Sequence, residues 1–145
     1  QVVVDRFAVF AGKRFKLDID GYEYFQQLEL ETKGFVILSS HIGCYEVAGY
    51  SLISKSKRFN ALVFGGEKAT VMKGRQEALS EHNIRMIPVR EDISHLFIVN
   101  EALSNNEIMS MPADRIVGSA KVVKVNFFGE TASLPAGPFS VTTMN

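Results

Sequence analysis

Cysteine, surplus charge and long apolar runs are all scarce in this sequence, and each scarcity excludes a class of protein. The single cysteine, Cys44, cannot form an internal disulfide, which predicts a reducing compartment. Sixteen basic residues balance sixteen acidic ones, so the chain lacks the cationic surplus on which nucleic-acid binding rests. No apolar run approaches the ~20 residues that span a bilayer. The 145 residues, 46% of them hydrophobic, suffice for one globular domain.

The two ends of the chain give further indications. It begins at Gln1 without an initiator methionine and stops at SVTTMN, so we expect that both ends of a longer protein are missing. Residues 1–145 would then be a partial domain. Near the start, the segment DRFAVFAGKRFK combines four basic residues with three phenylalanines. Such a segment suits either the end of a solvated amphipathic helix or an anionic membrane surface.

Apolar runs of strand length alternate with segments of helical spacing along the whole chain. This pattern predicts an α/β fold, a single domain with a largely parallel or mixed sheet flanked by helices. The predicted strands are Phe15–Ile19, GFVILSS, FNALVF, IRMIPV, EIMSMP and KVVKVNFFG. Helices are predicted over GYEYFQQLELE, CYEVAGYSLIS, EKATVMKGRQEALSEHN and DISHLFIVNEALSNN. The prolines and glycine of ASLPAGP predict a turn, followed by the first turn of another helix.

A histidine and a glutamate follow the apolar run FVILSS, at the position where a parallel strand ends and reactive groups collect. His41 and Glu46 meet only if the histidine lies in the loop and the glutamate in the first turn of the next helix. The carboxylate can then orient the imidazole, which leaves the other ring nitrogen to accept a proton. The spacing alone fits equally an ordinary helix start with an acidic residue in its first turn.

Other chemistries find less support in the sequence. A hydrolase using Ser39 or Ser40 lacks the G-x-S-x-G elbow. A metal site from His41, Glu46 and Asp114 lacks ligand pairs at helical spacing. The GGEK loop lacks the full phosphate-binding pattern, which leaves a plain turn as its simplest interpretation.

Three blocks, taken in order, resemble the bacterial lipid A biosynthesis (lauroyl/myristoyl) acyltransferases of the lysophospholipid acyltransferase superfamily. HIGCYE supplies the family's pattern of His, four residues, then Asp or Glu, at His41 and Glu46. PADR resembles its Asp-containing block at Asp114, and FFGETASLPAGP resembles its Phe-Phe-Gly and proline block. The resemblance begins near Gly21. The family's arginine-bearing block is absent, because the strand that should carry it ends in LVFGGEK. Either Lys68 or Arg75 replaces that arginine, or the choice of acyl donor differs.

The resemblance implies a glycerol-3-phosphate acyltransferase-like fold and the transfer of a fatty acyl chain from a thioester to a hydroxyl. His41 would be the general base and Glu46 would hold its tautomer. Arg115, or backbone N–H groups after Gly43, would stabilise the oxyanion. The phenylalanines suit an acyl-chain groove, or else a plain core. The substrate-binding residues implied are Gly43, Asp114, Arg115, Phe128, Gly129 and Pro135.

The resemblance also implies partners. The acyl thioester of acyl carrier protein or of coenzyme A would be the co-substrate, with no other cofactor and no metal. The acceptor would be a membrane glycolipid or phospholipid precursor. The protein would act at the cytoplasmic face of the bacterial inner membrane, peripherally or through an anchor outside this chain. The alternative is a non-catalytic lipid-binding or interaction module that keeps the fold. Bonding between His41 and Glu46 at an open groove favours the enzyme, and a His41 packed under side chains favours the module.

Overall fold

The computed structural model describes residues 2–13, 15–45, 47, 51–66, 69–80, 82–92, 94–116 and 121–143. Its helices are α1 (Val2–Phe10), α2 (Tyr22–Leu30), α3 (Ala69–Ser80), α4 (Ser94–Ser104) and α5 (Ala136–Thr143). Its strands are β1 (Phe35–Ser39), β2 (Phe59–Phe64), β3 (Ile84–Val89), β4 (Ile108–Pro112), β5 (Val122–Phe127) and β6 (Glu130–Pro135). The predicted α/β class with a largely parallel sheet is confirmed.

The first four strands form one parallel sheet in the order β1-β4-β2-β3. Because all four strands run the same way, their carboxyl ends meet at one edge. The chain order differs from the spatial order, since β4 lies between β1 and β2. The strands β5 and β6 form a separate antiparallel hairpin.

Helices cover both faces of the parallel sheet, which is the arrangement that continuous apolar strands require. On one face, α2 and α3 pack against β2, β3 and β4 through a buried cluster that contains Phe25, Leu79 and Ile108. On the other face, α4 packs through Val99 and Ala102. The clusters lie on opposite sides of the sheet because successive strand residues alternate between its faces.

Two local contacts fix the positions of neighbouring elements. A Cβ atom at Gly34 would collide with the carbonyl oxygen of Glu107, so only glycine lets β1 begin this close to the start of β4. The Gln76 amide joins α3 to the backbone of edge strand β3. Its Oε1 accepts the N–H of Met86 at 2.8 Å, and its Nε2 donates to the carbonyl of Ile84 at 3.2 Å.

Two predictions about local structure are wrong. The segment Phe15–Ile19 is not a strand; its alternating apolar side chains stay partly exposed, with Leu17 at 48%, and no ladder forms within the described residues. The segment ASLPAGP is not a turn, because its first four residues end strand β6 and the predicted following helix, α5, begins directly at Ala136. The predicted helix over CYEVAGYSLIS is described only in part, because residues 46 and 48–50 lie outside the described residues.

No helix within the described ranges combines the length and apolarity needed to cross a bilayer.

Candidate functional site

The order of the strands brings His41 and Asp114 together at the carboxyl edge of the sheet. In the β1–β4 ladder, Ser39 lies opposite Pro112, and the N–H of Ala113 extends the ladder by donating to the Ser39 carbonyl at 2.9 Å. His41 and Asp114 each stand two residues beyond that last pair. Equal offsets from adjacent parallel strands therefore place the two side chains side by side.

Two hydrogen bonds join these residues. One oxygen of the Asp114 carboxylate, Oδ2, accepts the backbone N–H of His41 at 2.8 Å. The other, Oδ1, lies 2.8 Å from the imidazole Nδ1. Because one carboxylate holds both the backbone and the ring, it fixes the position of His41 and the direction of its side chain.

The ionisation of Asp114 decides which ring nitrogen carries the proton. Partial burial is the largest single influence and acts to raise the pKa of Asp114. The bonds from the His41 backbone and imidazole, with the charge of that ring, outweigh it and hold the pKa below its usual range. An ionised carboxylate only accepts hydrogen bonds, so Nδ1 carries the hydrogen. The Nε2 atom then has its lone pair available to accept a proton.

The loop that follows β1 shapes the surroundings of the imidazole. Gly43 has a φ of 62°, a left-handed conformation that favours glycine, and the chain bends there. The ring of Tyr45 then stands edge-on to that of His41, with centroids 4.6 Å apart. The His41 side chain keeps 16% of its surface exposed. The His41 side chain is thus held in place while part of its surface stays exposed.

A cavity of about 330 Å³ extends from His41 along the face of the sheet that α3 covers. This volume lies at the lower end of the range of small-molecule sites, about 300–1,000 Å³. Hydrophobic side chains form most of its wall, and Ile84 and Phe59 mark the far end, where β3 and β2 begin. The strand residues that line it include Ile37, Phe59, Ala61, Val63, Ile84 and Met86.

The polar lining of the cavity is sparse and lies mainly near His41. Ser39 and Ser40 precede the histidine, and Ser110 contributes from β4. Arg75, on α3, is the permanent cation among the described residues that line it. An apolar cavity with few placed polar groups suits a hydrocarbon chain that carries a reactive polar end.

The other residues predicted for the site lie in three places. Gly43 and the exposed Arg115 stand next to His41 and Asp114 in the chain. Phe128 and Gly129 form the tip of the β5–β6 hairpin, and Pro135 is buried at its base. Glu46 and Lys68 lie outside the described residues, so the pairing of Glu46 with His41 stays a prediction.

The sequence analysis missed one relationship, the direct bonding of Asp114 to His41. The family resemblance implied a substrate-binding role for Asp114 and no bond to the histidine. The signal that could have revealed the pair is the equal two-residue offset from the ends of β1 and β4. That signal has meaning only once these strands are known to be neighbours.

In the described part of the chain, no cluster of three or more His, Cys, Asp or Glu side chains could hold a metal ion.

Comparison with known proteins adds one finding. The family model described as bacterial lipid A biosynthesis acyltransferase matches residues 11–143, nearly the whole chain. A search of curated proteins finds no match.

Proposed function

Since the chain belongs to the bacterial lipid A biosynthesis acyltransferase family, we propose that it moves a fatty acyl chain from a thioester to a hydroxyl of a membrane-lipid precursor. One observation carries this proposal. A histidine whose Nδ1 is held by a carboxylate lies beside an apolar cavity that runs back beneath α3. The pair supplies a base, and the cavity has the chemistry of an acyl-chain site.

In the proposed reaction, Nε2 of His41 accepts the proton of the acceptor hydroxyl as its oxygen attacks the thioester carbonyl carbon. A tetrahedral intermediate with a negatively charged oxygen forms. The carbon–sulfur bond then breaks, and the departing thiolate takes the proton from Nε2. General base catalysis of this kind contributes about 10²- to 10⁴-fold in rate. No covalent acyl-enzyme is required, so Cys44 has no part in this scheme.

Asp114 has two tasks in this scheme. Its bond to Nδ1 keeps the lone pair on Nε2, and its charge stabilises the imidazolium that forms during the reaction. The second bond, to the backbone N–H of His41, keeps the histidine from turning with its loop. Glu46, the acidic residue of the HxxxxE motif, is proposed to help orient the His41 imidazole, and substitution of Glu46 tests this role.

The negatively charged oxygen of the tetrahedral intermediate needs a hydrogen-bond donor, and the chain offers two candidates. Arg115 follows Asp114 and is exposed at the same edge of the sheet, and the backbone after Gly43 turns at the same place. We propose that one of them stabilises the oxyanion. Arg75, on the cavity wall, is proposed to take over the role of the arginine block that this chain lacks.

The decisive experiment is an acyl-transfer assay with the full-length protein. It offers labelled acyl carrier protein or coenzyme A thioesters together with lipid precursors. We expect product from the wild type and a loss of several hundredfold in His41→Ala. His82→Ala is the matched control, because His82 is exposed beyond the end of α3. Equal turnover by His41→Ala and His82→Ala would refute the assignment of the base.

The same assay distinguishes the proposed enzyme from the alternative, a non-catalytic lipid-binding module. Lipid bound by every variant without product from any of them would favour the module. Product with only one of the two thioesters would identify the donor. Product only with bilayer-embedded acceptor would support action at a membrane surface, the location expected from the sequence.

A further inference from the structure

The tip of the β5–β6 hairpin exposes two adjacent aromatic rings. Phe128 is 94% exposed and Phe127 is 61% exposed, and their ring centroids lie 4.6 Å apart. Soluble surfaces expose single apolar side chains routinely, but a paired aromatic projection at the end of a hairpin is a candidate contact surface. We propose that this tip inserts into the lipid bilayer that holds the acceptor, an inference that rests on the proposed function for its choice of partner.

The backbone of the tip holds the rings outward. Phe128 and Gly129 form the two-residue turn, and both have positive φ, at 55° and 85°. Asparagine or glycine is the usual residue at the first position of such a turn, and an aromatic residue there is sterically unfavourable. The N–H of Gly129 donates to the side-chain Oδ1 of Asn126 at 3.0 Å, which closes the turn. Folding alone gives no reason for phenylalanine at this position.

The two faces of the hairpin differ in polarity. Val123, Val125 and Phe127 alternate along β5 on one face, and their cross-strand partners include Leu134 and Ala132. The opposite face of the same ladder carries Lys124, Asn126, Thr131 and Ser133 towards the tip, with Val122 and Pro135 at its base. A two-stranded hairpin is marginally stable by itself, so an apolar face with exposed tip residues gains from a covering surface.

A bilayer fits this surface better than another protein does, because the family to which the chain belongs acts on a lipid acceptor. Aromatic side chains favour the membrane–water interface, where a partly apolar element lies about 5–10 Å deep. Lys124 is exposed about 10 Å behind Phe127, at the level where headgroup phosphates would lie. Glu130, opposite Phe127 in the ladder, is a charge that limits the insertion to this shallow depth.

The absence of tryptophan from the chain gives the test a clean probe. Phe128→Trp puts the one tryptophan of residues 1–145 at the tip, and Phe97→Trp puts it on α4 at a phenylalanine that is 75% exposed. Any tryptophan outside these residues is replaced by phenylalanine in both variants. The full-length variants are mixed with vesicles of phosphatidylethanolamine and phosphatidylglycerol, with and without brominated acyl chains. We expect a blue shift and bromine quenching for Phe128→Trp and neither for Phe97→Trp.

Substitution without a probe gives the second measurement. Phe128→Asn removes the ring while placing the preferred residue in the turn, so the variant should fold. Its vesicle partition coefficient should fall about tenfold, as expected for the loss of one buried aromatic side chain. Phe97→Asn should change it little. Glu130→Gln should strengthen binding to the same vesicles.

Three results would overturn the inference. Unquenched Phe128→Trp on vesicle-bound protein would assign docking to another surface, such as the exposed phenylalanines near the amino terminus. A tryptophan signal that responds to acyl thioester and not to vesicles would favour the acyl-groove role predicted for Phe128. A signal that responds to protein concentration without lipid would favour a second copy of the chain. His41→Ala should bind vesicles like the wild type, so failed catalysis and failed insertion are distinguishable.

Discussion

The substitution Asp114→Asn tests whether the bond between this residue and His41 keeps the imidazole in its reactive form. Asparagine has nearly the shape of aspartate, but its amide nitrogen can only donate. If the amide oxygen keeps the backbone N–H of His41, which Asp114 holds at 2.8 Å, the amide nitrogen faces Nδ1. The ring must then accept at Nδ1 and carry its hydrogen on Nε2. The lone pair that should take the substrate proton is thereby lost.

The size of the effect follows from what the ring must do to recover that lone pair. Moving the hydrogen back to Nδ1 sets two donors against each other, and each unsatisfied donor costs about 1–3 kcal/mol. The imidazolium that forms during transfer also loses its carboxylate partner. Together these terms give roughly 3–5 kcal/mol, which corresponds to about 10²- to 10⁴-fold in rate.

The assay is single-turnover acyl transfer with Asp114→Asn, Asp114→Ala and the wild type, with kcat and KM measured separately. We expect kcat to fall and KM to change little, because tautomer choice affects the chemical step. Alanine removes the anchor without imposing the wrong tautomer, so Asp114→Asn should be at least as impaired as Asp114→Ala. Nitrogen NMR of the imidazole should show the hydrogen on Nδ1 in the wild type and on Nε2 in Asp114→Asn. The chain has only three histidines, and His41→Ala identifies the signal.

Wild-type rates from Asp114→Asn would refute the reasoning, whatever the state of the ring. The role of orienter would then pass to Glu46. A merely structural role gives a different pattern, in which Asp114→Ala is the worse variant and both lower the denaturation midpoint in proportion to their activity.

Three further predictions concern the cavity and the stability of the fold. Ala61→Leu should shift the substrate preference of the protein towards shorter acyl chains, because Ala61 lines the cavity midway along β2. Competition among thioesters of different length measures this preference, and no shift would mean that the acyl chain binds elsewhere. Arg75→Gln should raise KM for the donor or the acceptor more than it lowers kcat, and an unchanged KM for both would remove Arg75 from substrate binding. Glu29→Gln should lower the free energy of unfolding by about 1 kcal/mol at neutral pH, because Glu29 accepts bonds from Ser54 Oγ at 2.7 Å and from two backbone N–H groups. The Ser54 bond is the main reason that the pKa of Glu29 lies below 4.5, so this stabilisation is present above that pH and is lost as the pH falls through the folded-state pKa. Denaturant unfolding curves of the wild type and Glu29→Gln should therefore converge as the pH falls. A difference in the free energy of unfolding that is the same at every pH would contradict this dependence on the ionisation of Glu29.

The elements that were predicted correctly are those whose local sequence pattern is sufficient to identify a strand or a helix. The strand Ile84–Val89 is a short apolar run between turn residues, and it forms as predicted. The predicted helix DISHLFIVNEALSNN forms over Ser94–Ser104, and the Asp92 carboxylate accepts the N–H and the hydroxyl of Ser94 at its start, as an Asp cap does.

The two wrong predictions arise where a distant partner decides the outcome. Phe15–Ile19 alternates like a strand, but alternation cannot supply a neighbour to bond with. In ASLPAGP the prolines and glycine suggested a turn, whereas the segment ends strand β6 and begins helix α5, and the chain reverses earlier, at Phe128 and Gly129. A phenylalanine in the left-handed conformation is rare enough that no propensity rule anticipates it.

The candidate site shows the same limit at a larger scale. The position of His41 after an apolar strand is visible in the sequence, and so is that of Asp114 after another. No local pattern indicates that β4 lies beside β1, since 68 residues separate Ser39, the last residue of β1, from Ile108, the first of β4. That separation is far beyond the reach of turn chemistry or periodicity. The close approach of Gly34 to the Glu107 carbonyl shows how the order is enforced once formed, because any larger residue would push β1 away from β4. The bonds that hold His41 in the orientation proposed for a base are thus a product of strand order, and the sequence motif does not contain Asp114, the residue that makes them.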